Sequence, residues 1–377
     1  MKNSLLVKFR DLMKYEKLGV QIDPSYTNQI KNDIKIRFGT YEKAAKKAGF
    51  SHRVIYEMQK RCIRVYNWNK LIILLELQID DFEKHIIKIA DKRTYNIRFP
   101  YEVSPLLIRL VSHIIGDGGY YGNNARWIQK DVQPIINVQK QILNISGNKN
   151  KNKYGIEQTS IMNFYIKLVC VALRINRNII GTADFIETAS NLPRDYKVQT
   201  LAAIIEDESR IEPRSGSIRI AMKDYEIIKS LTKLMDSLGY DRGDIIRIKN
   251  KGFRSNDESY LFSVHLRVLG AHKFLNDLII SIEKYGKLAG LWKKQKQLEE
   301  LVFFNDGKKA EGEKINRELS NKTINLLKIN NGMITYKGLK NILHTSHHRT
   351  GSIIRRLYNK GIINRGGRGV YILVINN

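Results

Sequence analysis

Leu110-Val111-Ser112-His113-Ile114-Ile115-Gly116-Asp117-Gly118 is an apolar helical run that ends on an acid between two glycines. It has an echo in Leu201-Ala202-Ala203-Ile204-Ile205-Glu206-Asp207-Glu208-Ser209. Each copy opens with leucine, carries small residues near its second and third places, and closes in acidic and small residues. The second copy begins 91 residues after the first, too far for a solenoid unit and suited to a duplicated half-domain. Ser112 and Ala202-Ala203 put little bulk where two such helices would meet, which lets their axes approach to roughly 8–10 Å. Their acidic ends then converge.

Asp117 and Glu208 brought to one point would repel unless they share a proton or a cation. Hard oxygen ligands of this kind suit Mg²⁺, or another divalent ion such as Mn²⁺, which keeps waters and binds substrate phosphates. The chemistry that follows is metal-assisted phosphodiester hydrolysis.

The pair of segments resembles the LAGLIDADG motif of homing endonucleases, in the arrangement where one chain holds two motifs. The resemblance covers residues 104–302. It implies an α+β fold of two pseudo-symmetric αββαββα halves with saddle-shaped antiparallel sheets. It also implies that the eighth motif position, here Asp117 and Glu208, is the catalytic and metal-binding acid. The sequence departs from the pattern at the sixth place of the first copy, Ile115, and at the ninth of the second, Ser209, where glycine is usual. Asn191-Leu192-Pro193-Arg194-Asp195 resembles the family's entry loop to the second motif. Gly290-Leu291-Trp292-Lys293-Lys294-Gln295-Lys296-Gln297 resembles the basic segment that supplies a lysine to the cleavage centre, and Lys294 aligns with that lysine. Such a group polarises water or stabilises charge on the transferring phosphate; the plainer alternative is a basic helix face that only touches phosphates. In the family the sheet lies along the DNA major groove. The candidates for contact are Arg126 and Gln129 in the first half and Arg210, Arg214, Arg219, Arg247, Lys249 and Arg254 in the second.

Composition agrees with a polyanionic partner. The 377 residues hold 65 Lys+Arg against 37 Asp+Glu, a net charge of +28, which argues for a polyanionic partner; double-stranded DNA is the one the resemblance implies. A hydrophobic fraction of 42% is enough for packed cores, and the length suits two to four domains. No apolar run qualifies as a membrane span. The opening Met1-Lys2-Asn3-Ser4-Leu5 lacks a signal-peptide core, so a cytoplasmic, nucleoid-associated protein is expected. Cys62 and Cys170 stand far apart and read as buried reduced thiols rather than zinc ligands. Gly116-Asp117-Gly118-Gly119 is not a dinucleotide fingerprint, because the glycines close a helix instead of opening one. No Walker A run is present, which leaves nucleotide hydrolysis without support.

The flanks read as further DNA-binding modules. Residues 1–90 are expected to be all-α, with helices over residues 5–18, 26–79 with short breaks, and 81–90. Within them Tyr41 to Met58 has helix-turn-helix spacing: Ala45 at the crossing, Gly49 in the turn, Ser51 as N-cap of the second helix. Ser51, His52, Arg53, Tyr56 and Lys60 would face a major groove; a plain helical hairpin is the alternative. Residues 91–103 read as a connector, and Ser104-Pro105 as an N-cap and first helical residue. Halves over residues 104–190 and 191–302 follow. In the first, residues 120–129 read as a strand, another lies within 154–159, 164–173 is a core helix, and 135–145 is either a strand or the half's middle helix. In the second, strands fall at residues 217–222, 244–249 and 260–268, with helices over 225–238 and 272–282.

Residues 303–317, rich in Gly, Lys and Glu, read as a linker. The last module, residues 318–377, shows three helices and then two alternating runs around Gly366-Gly367, the signature of a winged helix. His347, His348, Arg349 and Arg355 would face DNA from its third helix, with Arg365 and Arg368 in the wing. The reading that follows is a site-specific, metal-dependent double-strand DNA endonuclease, monomeric through internal symmetry and without a membrane partner. The alternatives are a non-cleaving transcriptional regulator on the same scaffold and an RNA maturase.

Overall fold

Alternating β-branched residues decide the first hundred positions. The computed structural model describes residues 5–91, 93–116, 118–121, 124–129, 156–157, 159–213, 216–250 and 259–374. The chain opens with a short strand, β1 (Leu6–Val7), and one turn of helix, α1 (Phe9–Leu12). Strand β2 (Gly19–Ile22) leads into α2 (Pro24–Phe38), α3 (Tyr41–Ala48) and α4 (Arg53–Glu57). Asp23 caps α2 by accepting the Tyr26 N–H at 2.8 Å, with Pro24 in the first turn. Thr40 caps α3, and Gly49 closes it at φ 71°, a left-handed conformation that glycine adopts without a Cβ clash. Next come β3 (Ile63–Arg64), α5 (Val65–Leu75), α6 (Ile79–Phe82), β4 (Ile86–Asp91), β5 (Arg93–Asn96) and β6 (Tyr101–Glu102).

The expected all-α module is therefore corrected. Strands in the order β3-β2-β4-β5 form an antiparallel sheet, and β1 pairs with β6. Val20 pairs with Ile89 and Ile22 with Ile86, all four buried, so a distant pairing partner overrides the local helical reading over residues 86–90, while residues 81–85 are helical as expected. The helix expected over 5–18 shrinks to α1, and the boundary at residue 90 falls inside the β4–β5 hairpin. Buried Trp68 ties α5 to the sheet, donating its indole N–H to the Val20 carbonyl at 3.1 Å and packing on Phe82.

Ser104 and Pro105 start α7 (Pro105–Ser112) as expected, the serine hydroxyl accepting the Leu107 N–H at 3.3 Å. Every residue of α7 is buried. The run expected as one strand over residues 120–129 is a hairpin of β7 (Gly118–Tyr121) and β8 (Asn124–Gln129), with β9 (Ile156–Glu157) beyond β8. Residues 135–145 lie outside the described residues. Helix α8 (Thr159–Leu173) follows, then a 3-10 turn at Arg177–Ile179 and α9 (Ala183–Ser190).

The second motif lies in α10 (Arg194–Glu208), after which the chain runs β10 (Ser209–Glu212), β11 (Ser217–Met222), α11 (Tyr225–Ser237), β12 (Ile246–Asn250), β13 (Ser259–Leu266) and α12 (Val268–Tyr285). The sheet order is β10-β11-β13-β12, all antiparallel. Ile218, Ile220, Val264 and Leu266 fill its inner face, against α11 and α12. The order β7-β8-β9 repeats the first three strands of this sheet in the other half.

The chain divides into two compact units, Met1–Leu301 and Val302–Asn377. The segment expected as a linker is helical: α13 (Gln295–Ile329) runs through it without a break. Lys and Glu favour helix, and each of Gly307 and Gly312 costs only about 1 kcal/mol. In the second unit α13 is followed by β14 (Met333–Thr335), α14 (Tyr336–Ile342), α15 (His347–Asn359), β15 (Ile363–Gly367) and β16 (Val370–Leu373). Its sheet order is β14-β16-β15, and Leu327, Ile334, Leu339, Ile353, Leu357, Ile363 and Tyr371 form its core. The architecture is thus mixed α+β with small antiparallel sheets.

Candidate active site

The two motif helices meet at their C-terminal ends. Ser112, Ala202 and Ala203 are fully buried, and a Cβ added to Gly116 would lie 2.6 Å from the Asp207 Cβ. Glycine is therefore what lets the turn after α7 touch the last turn of α10. Asp117, the residue after Gly116, lies outside the described residues. Glu208, the residue after Asp207, ends α10 and is partly exposed.

Lys294 reaches that same end. Its ammonium donates to the Ile205 carbonyl at 2.9 Å and the Ser209 carbonyl at 2.5 Å. A cation at a helix C-terminus is favoured by the dipole and satisfies carbonyls that have no intrahelical partner. The alignment that singled out Lys294 thus lands it beside Glu208, the sequence neighbour of Ser209.

A buried polar network holds the strap that carries Lys294. Glu206, nearly fully buried, accepts the backbone N–H groups of Trp292 at 2.8 Å and Lys293 at 2.9 Å. Gln199 donates to the Ala289 carbonyl at 2.9 Å. From the other helix, Arg109 donates through one terminal nitrogen to the carbonyls of Gly290 at 2.6 Å and Leu288 at 3.2 Å and to Gln199 at 3.3 Å. Its guanidinium lies over the Trp292 ring at 4.4 Å, and His113 stacks on that ring at 5.0 Å. His113 in turn meets the Asp207 carboxylate at 2.8 Å, both side chains fully buried. Burial pushes the Arg109 guanidinium down to about 10, while Glu206 and Asp207 pull it back up, so it is charged at neutral pH.

None of Arg109, His113, Gln199, Glu206, Asp207 or Trp292 was singled out by the sequence. A signal existed: Arg109 and His113 stand four residues apart, and Gln199 and Glu206 seven, each pair on one face of an otherwise apolar helix.

The strand register sorts the candidate DNA contacts of the second half. Arg210 lies beside Arg219, and Arg219 beside His265, a polar row across three strands on the face opposite the helices, in which Arg210 also pairs with Glu212 at 3.1 Å. Burial, and then the charge of Arg219, hold the His265 imidazole below its usual value. Arg247 and Lys249 do not join that row. Arg247 pairs with Phe262, which pairs with Met222, so the parity of the sheet puts both on the helix-side face at the outer edge, where Arg247 stacks on Tyr260 at 3.7 Å. Arg214 and Arg254 lie outside the described residues; Arg126 and Gln129 lie on β8.

In the N-terminal region His52, rather than Ser51, is the residue before α4, although the Ser51 hydroxyl accepts the Arg53 N–H at 3.4 Å. The second helix is only five residues long. Arg53 is bound to Glu57 at 2.7 Å, while Tyr56 and Lys60 are exposed. In the second unit Ser346 caps α15 through the Arg349 N–H at 3.2 Å. His347, Arg349 and Arg355 are exposed there, as are Arg365 and Arg368 in the β15–β16 hairpin, and His348 lies on the same helix. No helix among the described residues is long and apolar enough to cross a membrane. No protein-family profile matches the chain, and no curated protein matches it.

Proposed function

We propose that the protein is a metal-dependent endonuclease acting on a long duplex DNA site, on a scaffold of the LAGLIDADG homing type. The observation that carries this reading is the contact of Gly116 with Asp207, because it brings together the helix ends whose next residues are Asp117 and Glu208. Lys294 supplies a cation at the end of α10, on the carbonyl of Ser209, the residue after Glu208. Among the described residues no group of three or more His, Cys, Asp or Glu could hold a metal. The donor set of two hard carboxylates, one from each half, fits Mg²⁺ or Mn²⁺, with water and phosphate oxygens completing the shell. Such an ion supplies an activated water and neutralises charge on the phosphate. The protein's own part is to place the duplex and to offset charge. The Arg210–Arg219–His265 row would take the backbone or base edges of one half-site, and Lys294 would stabilise negative charge that develops at phosphorus.

The test is cleavage of a randomised plasmid library in Mg²⁺ by the wild type, Asp117→Asn and Glu208→Gln. Linear product from the wild type alone, with binding retained by both variants, is the expected result. If no condition yields a cut product, the nuclease reading fails.

A second reading, a sequence-specific regulator that binds without cutting, is favoured by the C-terminal unit. Its helix-strand-helix-helix-hairpin order and basic α15 suit a winged-helix DNA-binding module. A protected footprint beside a gene, with no nick and no change in Asp117→Asn, would decide for it. Both readings require steep loss of affinity with salt, since phosphate contacts release counterions.

A further inference from the structure

We infer that the groove between α1 and the C-terminal end of α8 is a binding site for a small organic phosphate. The inference goes beyond the nuclease reading, and neither depends on the other.

The groove has a volume of about 550 Å³ and two walls from distant parts of the chain, one within residues 5–14 and the other within residues 170–176. The first wall is fixed by the Val103 N–H on the Leu5 carbonyl at 2.8 Å, and β1 packs on α8 to join it to the second. An ion pair of Lys167 on α8 with Asp91 at 2.5 Å ties the same two regions together. The groove is therefore preformed, and its size is that of small-ligand sites.

Arg174 distinguishes it from a plain seam. It follows the last residue of α8 at φ 56°, its N–H on the Val171 carbonyl at 3.2 Å and the Ile175 N–H on the Cys170 carbonyl at 3.0 Å. That left-handed place after a helix suits glycine, and Gly39, Gly49 and Gly286 fill it after α2, α3 and α12. Glu76, after α5, shares the conformation, so the turn tolerates a side chain; at Arg174 that side chain lines the groove. Backbone strain of this kind is held where the surroundings make use of it.

Lys14 supplies a second cation from the opposite wall. Asp11, on the wall of Lys14, accepts the Lys8 N–H at 3.0 Å in the cap of α1. Burial pushes the Cys170 thiol up to about 11, against the pull of Arg177 and Lys14, so it is neutral at pH 7 and does not neutralise either cation. An ammonium and a guanidinium together suit a phosphate, which takes charge-assisted bonds from both. Asn176 adds an amide, and Leu6 and Ile175 give apolar surface for an organic body. A molecule bound there would link residues 5–14 to α8 and secure the N-terminal region to the first half.

The experiment uses the full chain, with adenosine monophosphate and glycerol 3-phosphate as probes and adenosine and inorganic phosphate as controls. Titration calorimetry should show saturable binding of a phosphate ester, tighter than of either control. Arg174→Gly and Lys14→Met should each weaken it about tenfold or more, the cost of one hydrogen bond to a charged group. Arg174→Gly should not lower the Tm, because glycine suits the turn, so its loss of binding is not a loss of fold. The two cysteines of the chain give a second readout: the ester should slow alkylation of Cys170 by iodoacetamide several-fold and leave Cys62 unchanged. No saturable binding of either ester, or binding unchanged in Arg174→Gly, would overturn the inference. Equal binding of inorganic phosphate would overturn the organic part of it. If duplex DNA of arbitrary sequence shields Cys170 while neither ester does, the cations serve the DNA backbone and the small-molecule site is refuted. No cleavage enters these measurements, so the nuclease reading stands or falls separately.

Discussion

Helices α7 and α10 carry two similar apolar segments and pack on one another, yet their buried polar residues are of opposite kind. Helix α7 and the turn after it supply Arg109 and His113; α10 supplies Gln199, Glu206 and Asp207. Aligned motif for motif, Arg109 stands against Thr200, His113 against Ile204, Ile115 against Glu206 and Gly116 against Asp207. A symmetric pair could not bury such groups: two copies of α10 would set Asp207 against Asp207, and two copies of α7 would leave the space between their glycines empty. Two helices of different sequence within one chain can be charge-complementary, and their shared interface becomes specific for that one pairing.

The largest break in that comparison is expected at Arg109. Removing it in Arg109→Ala strips two hydrogen bonds from the strap and one from Gln199 of α10, and takes a buried positive charge away from Glu206 and Asp207. Loss of one member of a buried charged set costs about 3–5 kcal/mol. Its counterpart Thr200 bonds only within its own helix, to the Tyr196 carbonyl at 3.0 Å, so Thr200→Val should cost no more than about 1 kcal/mol. Urea unfolding of the two variants checks the contrast, and equal losses would mean that the halves are interchangeable in energy after all.

A smaller effect is expected at the point of contact. Gly116→Ala would place a methyl against the Asp207 Cβ, and overpacking of this kind costs about 1–3 kcal/mol. Asp207→Gly makes room for that methyl, so the double variant should lose less than the sum of the singles, by about 0.5–3 kcal/mol of coupling. Strict additivity would show that the helix ends do not touch in solution.

What the sequence disclosed follows the same division between local and distant causes. The paired motifs, the Ser104-Pro105 start, and the alternating strands and amphipathic helices of residues 194–285 are written in local periodicity, and they were legible. So was the C-terminal order of helices and glycine-turned hairpin. The strands of the N-terminal region were not, because β2 pairs with β3 only after α2 to α4 have intervened and with β4 only after α2 to α6. Nor was the unbroken α13, where composition suggested a linker although Lys and Glu sustain helix. At the site, Asp117, Glu208 and Lys294 were read from pattern, and of these Asp117 lies outside the described residues. The polar clamp could not be assembled, since Arg109, Glu206 and Trp292 meet only through tertiary packing. Register parity, which parts Arg247 from Arg219, is likewise a property of pairing rather than of either strand alone.

The smallest expected effect separates the beginnings of the two motif helices. Helix α7 starts at a neutral cap, the Ser104 hydroxyl. Helix α10 carries Asp195 in its first turn, which binds the Lys284 ammonium and accepts the Tyr285 hydroxyl at 2.7 Å from the end of α12. Burial works to raise the Asp195 carboxyl, but the bonds from Lys284 and Tyr285 outweigh it and hold the group below its ordinary value. A carboxylate with a lowered folded value contributes stability that is whole above its unfolded value and disappears as pH falls through the folded one. The ionised form therefore adds to the Arg194–Asp277 ion pair in fastening α10 to α12, and acid should loosen that junction while leaving the start of α7 untouched. Because the pair is partly exposed, the contribution is on the order of 0.2–1 kcal/mol. Unfolding free energies of wild type and Asp195→Asn should differ by that amount at pH 7 and converge toward pH 3. Amide exchange should show the first turn of α10 opening before that of α7 as the pH is lowered. A constant difference between the two proteins across that range would mean that the charge on Asp195 does not hold the helix, and that the two beginnings are alike.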